Sequence, residues 1–183
     1  MIPDGITSIE SGTFSSCTGL TSVTIPDGVT SIEANAFREC SSLTKITIPD
    51  SVTSIEDLAF CGCRSLTGVT IPDSVTSIGV NAFRQCGLTS ITIPSDMREI
   101  NAKAFKLCTS LTAITIPEGV KSIGLGAFAR CRSLSAVTFL GDAPTVAEDA
   151  FEEASPTIYR EAEAKGWGDT FAGRPVKLIS EKP

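Results

Sequence analysis

The sequence contains no histidine. It lacks the one side chain whose ordinary pKa suits proton transfer near neutral pH, and a Ser-His-Asp or Cys-His set cannot be assembled from it. A glycine-rich phosphate loop, a Cys-x-x-Cys pair and an obvious pair of catalytic carboxylates are missing too. These absences argue against an enzyme and leave no expected cofactor or metal centre. Positive charge is also short, with 15 Lys and Arg against 21 Asp and Glu and a formal net charge of −6. Nucleic acid and anionic membrane surfaces, which want a basic face, are therefore poor candidate partners. No apolar run approaches the roughly 18 residues needed to span a bilayer as a helix, so no membrane span is expected. Aromatic residues make up 6% of the chain, with a single Trp and a single Tyr. Met1 leads directly into Ile-Pro-Asp-Gly, with neither the basic region nor the apolar core of a secretory signal. Because Ile2-Pro3 corresponds to the middle of a repeat, the expectation is a mature fragment or a longer natural protein cut within a unit.

What the chain does have is a repeat. Phe14, Phe37, Phe60, Phe83, Phe105, Phe128 and Phe151 recur every 23 residues, apart from one step of 22. Three residues after each of the first six comes a cysteine: Cys17, Cys40, Cys63, Cys86, Cys108 and Cys131; the seventh copy has Ala154. Leu20, Leu43, Leu66, Leu88, Leu111 and Leu134 follow, and then an alternating apolar pair such as Val23/Ile25 or Ile46/Ile48. A period of this length marks a solenoid, whose units bury their apolar faces only against one another. Within a unit, Ser22-Val23-Thr24-Ile25 reads as a short strand with Val23 and Ile25 inward. Pro26 ends it, having no N–H for a ladder, and Pro-Asp-Gly turns the corner. Val29-Thr30-Ser31-Ile32 is a second extended piece with Val29 and Ile32 inward, and Ala36-Phe37 is expected in a tight helical turn.

The run Ile-Pro-Asp-x-Val-Thr-Ser-Ile-x-x-x-Ala-Phe-x-x-Cys-x-x-Leu-Thr-x-Val-Thr resembles the BspA-type (Treponema pallidum-type) leucine-rich repeat. The likeness covers residues 1 to about 154 and implies an α/β leucine-rich-repeat solenoid, predominantly β. The resemblance predicts a curved, right-handed stack of 22–23-residue coils with short helical turns and the Val-Thr-Ile strands on the concave side. Proteins of this family are mostly bacterial cell-surface or secreted molecules, several implicated in adhesion, and the family offers no catalytic motif. On this reading residues 1–154 form seven coils, the first truncated, and residues 155–183 form a C-terminal capping segment. Arg160 to Lys165 reads as a short helix closed by Gly166, and Trp167, Phe171 and Val176 to Ile179 supply apolar cover. The N-terminal coil has no such cover and could associate end to end with another chain.

Two copies depart from the pattern. One residue is missing between Cys86 and Leu88, which demands a tighter corner, and Ser95-Asp96-Met97-Arg98-Glu99 replaces the usual Asp-x-Val-Thr-Ser with Met97 inward. Drift in a tolerant connection accounts for both; a distinctive patch for a partner is the functional alternative.

The periodic cysteines fit buried core positions, where a thiol behaves as a small hydrophobe. Cys61 stands where neighbouring copies carry Arg38 and Arg84 and is expected to be exposed. Asp4, Asp27, Asp50, Asp73 and Glu118 form an acidic ridge that turn chemistry explains without calcium. Arg38, Arg84 and Lys106, with Arg64, Arg130 and Arg132, form a basic ridge elsewhere, which solvation largely explains. The candidate binding surface is the outward face of the strands, comprising Ser22, Thr24, Lys45, Thr47, Thr70, Ser90, Thr92, Thr115 and Thr138. A hydroxyl file invites comparison with ice-binding solenoids, but the companion positions Gly68, Ala113 and Ala136 supply no second file, and threonine suits any exposed strand. The sequence thus points to a non-catalytic module that binds a protein or glycan surface, adhesin-like and at the cell surface or secreted. A rigid spacer with no ligand of its own is the alternative.

Overall fold

A computed structural model describes residues 2–182. The chain winds as a β solenoid of about seven turns whose parallel strands fall in two rows. One row runs through Ser8–Ile9, Ser31–Ile32, Ser54–Ile55 and Ser77–Ile78, then through Glu99–Ile100, Ser122–Ile123 and Thr145–Val146. The other begins with Ser22–Thr24 and Lys45–Thr47 and resumes at Ala113–Ile116, Ala136–Phe139 and Thr157–Arg160. Pairing is in register by one repeat, Thr24 beside Thr47 and Thr115 beside Thr138. Inward residues recur as expected: Val29, Ile32, Phe37, Cys40 and Leu43 are fully buried, and their counterparts are buried in the coils that follow until the last, where Ala143 and Val146 are half-buried.

The third side of each coil is not helical. Its N–H groups alternate: those of Ala36, Arg38 and Cys40 bond three residues back within the coil, whereas those of Asn35, Phe37 and Glu39 reach carbonyls of the next coil, on Asp57, Ala59 and Cys61. A helix would need all of them for itself. The alternation is enforced by a left-handed residue every fourth position, Asn35 and Glu39 here, Leu58 and Gly62 next, Lys103 and Leu107 later. The expected helical turn is thus corrected to a string of tight turns, and among the described residues the only helix is the 3-10 turn Ile179–Glu181.

This arrangement stacks the phenylalanines. Successive rings lie within 9° of parallel, with centroids 5.1–5.8 Å apart. Equivalent points on adjacent coils are thus farther apart on this side than the ~4.8 Å between paired strands. The stack is longer on the phenylalanine side and curves toward the strands.

The 22-residue step leaves a dislocation. At Gly87 an added Cβ would lie 2.2 Å from the Arg64 carbonyl oxygen, so the shortened corner admits only glycine. The Phe83–Phe105 spacing is the widest of the series, 5.8 Å. In regular coils a backbone N–H meets the preceding isoleucine carbonyl, as Gly79 meets Ile55. Here the Asn101 side-chain amide donates to the Ile78 carbonyl instead, at 2.8 Å, and the first strand row is interrupted between Ile78 and Glu99.

The C-terminal segment completes the second row. Arg174–Leu178 pairs parallel to Thr157–Arg160, and Thr170–Phe171 turns back antiparallel along its outer edge. The helix expected at Arg160 to Lys165 does not form. Arg160 ends a strand, its guanidinium bonds the Glu161 and Ala162 carbonyls, and Asp142 takes the Lys165 N–H at 2.7 Å. Six residues cannot offset helix nucleation against such competition.

Left-handed non-glycine residues cost about 1–2 kcal/mol each. Lys103 is exposed at φ 58°, where the equivalent residues of other coils are Gly12 and Gly126. Lys103→Gly is therefore expected to raise stability by about 0.5–1 kcal/mol in urea unfolding, whereas Lys103→Val should lower it; equal or opposite effects would refute the strain argument.

Candidate functional site

The outward file exists as a surface. Ser22, Thr24, Lys45, Thr47, Thr70, Ser90, Thr92 and Thr115 are all exposed on the second strand row or its continuation. Between Thr47 and Thr115 the ladder thins, since residues 68–70 are not in a strand and Thr92 makes a single bridge to Thr115. Gly68 has no side chain to project there. The result is a depression of about 480 Å³ whose outward lining is Lys45, Thr47, Gly68, Thr70, Ser90 and Thr92. Five hydroxyl or ammonium groups and a bare stretch of backbone can each give or take hydrogen bonds, but the site holds no group suited to proton transfer or nucleophilic attack.

Thr138 is a correction. It is 7% exposed, because the chain end folds back and the Lys182 ammonium donates to its hydroxyl at 3.2 Å while lying 5.6 Å from the centre of the Tyr159 ring. Tyr159 and Lys177 continue the threonine file beyond Thr138. Sequence reasoning missed both, although aligning Thr157-Ile158-Tyr159 with Ala136-Val137-Thr138 would have found the first.

Behind the face, Trp167 packs with Phe139 and Phe171 at centroid distances of 4.9 Å each and donates its indole N–H to the Gly141 carbonyl. This cluster holds the terminal strands against the last full coil.

The cysteines have a structural role with a specific geometry. Each thiol donates to the carbonyl of the phenylalanine in the preceding coil: Cys40 to Phe14, Cys63 to Phe37, Cys86 to Phe60, Cys108 to Phe83 and Cys131 to Phe105, all at 3.0–3.1 Å. Past the last such thiol, Arg174 takes the Phe151 carbonyl at 2.8 Å. Cys17, in the first coil, is exposed. Cys61 overturns its expected exposure: it is 5% exposed, a short side chain lying in the charge environment of the longer Arg84, Glu39 and Arg38. Burial raises its pKa, with Arg84 the main opposing influence. Burial likewise pushes Cys40 up to about 11 and Cys131 up to about 12, and Cys86 and Cys108 well above the ordinary thiol range. On the basic ridge, Glu153 bridges Arg130 at 3.0 Å and Arg132 at 2.9 Å, and these contacts lower its pKa. Among the described residues no three metal-ligating side chains converge, the acidic ridge included. No helix among them is long and apolar enough to cross a membrane.

A stack of short strands and tight turns, with stacked phenylalanines and one inward leucine per coil, is a leucine-rich-repeat solenoid. More particularly, the chain belongs to the BspA type leucine rich repeat family, whose model matches six copies over residues 1–97 and 30–157. Solved structures agree. A leucine-rich repeat protein from Bacteroides ovatus superposes with a TM-score of 0.73 at 30% identity over 85% of this chain. The T. pallidum leucine rich repeat protein gives 0.70 at 33% over 76%, and a leucine rich cell surface protein from Faecalibacterium prausnitzii gives 0.62 at 31% over 88%. The chain spans 43%, 70% and 59% of those three proteins respectively. No curated protein matches the sequence.

The thiol geometry has two measurable consequences. In the folded protein a thiol reagent should modify Cys17 quickly and the other six only after denaturation; several fast thiols would contradict the burial. A thiol whose pKa is higher folded than unfolded contributes stability that is complete below the unfolded value of about 8.5 and is lost as pH climbs through the folded one. Stability is therefore expected to decline between roughly pH 9 and 12. Cys131→Ala, a residue Ala154 shows the slot accepts, should flatten that decline and cost about 1–2 kcal/mol at pH 7.

Proposed function

We propose that this chain is a non-catalytic interaction module that binds another protein through the outward strand face, at the cell surface or in a secreted molecule. The observation that carries the reading is the exposed file Thr24, Thr47, Thr70, Thr92 and Thr115 around the central depression, held on a backbone fixed by the coils on either side. Such a surface suits many shallow polar contacts with an extended partner. A glycan is the less favoured ligand, because the only aromatic ring in the outward file among the described residues, Tyr159, is buried under Lys182 and cannot serve as a stacking platform. The surface location is supported by the name of the Faecalibacterium relative. The test is adhesion of the parent protein to host or matrix proteins after Thr70→Arg, Thr92→Glu and Thr115→Arg are combined. A loss of tenfold or more supports the face as the binding surface; unchanged adhesion with an intact fold favours the spacer reading.

The same proposal includes end-to-end self-association. Phe14 and Leu20 are only half-buried, unlike their counterparts Phe37 and Leu43, and apolar hollows of about 570 and 240 Å³ lie open against them. Sedimentation of the chain as it stands should then show concentration-dependent dimers that Phe14→Glu abolishes; a monomer at all concentrations refutes it.

A further inference from the structure

A depression of about 860 Å³ lies away from the strand face, where the irregular Ser95 to Arg98 corner, the regular Pro117 corner, the Leu140 corner and the C-terminal segment meet. Two glycines lie in its lining. An added Cβ at Gly119 would lie 2.9 Å from the Ser95 carbonyl oxygen, and one at Gly141 would lie 2.7 Å from the Glu118 Cα, so at both positions backbone nests on the backbone of the preceding coil. At the position where six preceding copies carry Pro3, Pro26, Pro49, Pro72, Pro94 and Pro117, this corner has Leu140, which is 45% exposed. Five carboxylates line the hollow (Asp96, Glu118, Asp142, Glu161 and Glu163) against two cations, Arg98 and Lys121. None of the five is in an ion pair among the described residues. The negative strip continues outward through exposed Asp73, Asp50 and Asp27, one per coil.

We propose that this corner is a second binding site, and that its occupant is a basic polypeptide segment carrying an apolar residue. The leucine offers an anchor contact, the unpaired carboxylates select lysine or arginine on either side of it, and the strip along the ridge steers such a segment in. The volume is within the roughly 300–1,000 Å³ of ordinary ligand sites. A drift explanation of the Ser95 to Glu99 irregularity does not explain why the exposed leucine, the two close-approach glycines and the glutamates of the C-terminal segment meet at the same place. The site is independent of the strand face.

Fluorescence anisotropy with a labelled nonapeptide of alternating lysine and leucine tests this directly, with a glutamate-for-lysine peptide as its partner probe. Wild-type protein is expected to bind the first and not the second, more weakly as salt is raised. The combined Glu118→Gln, Glu161→Gln and Glu163→Gln variant, all at exposed positions, should bind at least tenfold more weakly, and Leu140→Ser severalfold more weakly. The Thr70→Arg, Thr92→Glu variant should bind as wild type, and amide NMR shifts on titration should centre on Leu140, Gly141 and Asp142. No binding at millimolar peptide, equal binding of the two peptides, a triple variant within twofold of wild type, or shifts confined to the strand face would each overturn the proposal.

Discussion

The constraint on which the structure depends is that a coil cannot satisfy its own backbone. On the turn side, alternate N–H groups point forward, as Phe37 does to Ala59 and Phe60 to Ala82. On the strand side they point back, as Thr30 does to Thr7. An isolated coil would leave both sets to water and its phenylalanine ring uncovered, so neither the ladder bonds nor the core exists without the neighbouring coils. Every other regularity follows from meeting this demand. The left-handed residues aim the forward N–H groups, and stacking in register lays ring upon ring. That stacking also brings each thiol to the carbonyl of the previous phenylalanine.

Most of this was legible because one-dimensional order shows itself in one dimension. The spacing of Phe14 to Phe151 gave the coil length, and the inward sites from Val29 to Leu43 followed from two extended pieces and a corner. What the sequence could not show was how long side chains and chain ends lie across the surface. The register of Cys61 points outward, yet the residue is buried, in the charge environment of Arg84, Glu39 and Arg38. Thr138 was assigned to the exposed file, yet Lys182, 44 residues on, covers it. The segment from Arg160 to Lys165 has a helical composition, but Asp142 from the previous coil captures its end. In each case a contact one coil away or farther decided the outcome against a local preference.

The two surface features that carry functional readings share a cause. A perfect solenoid presents the same groups every ~4.8 Å, so a partner bound to it could shift by one coil at little cost, as uniform strands slip in register. Specific recognition needs the translational symmetry broken, since discrimination is a difference between competing poses. This chain breaks it around its fourth and fifth coils. Gly68 and the single bridge at Thr92 open the strand face, while the residues from Ser95 to Arg98 open the corner beside Leu140. The shortened coil at Gly87 lies between Gly68 and Thr92 and just ahead of Ser95 in sequence. The regular coils supply stiffness on either side, and the irregular ones supply positions that a partner can tell apart from their neighbours.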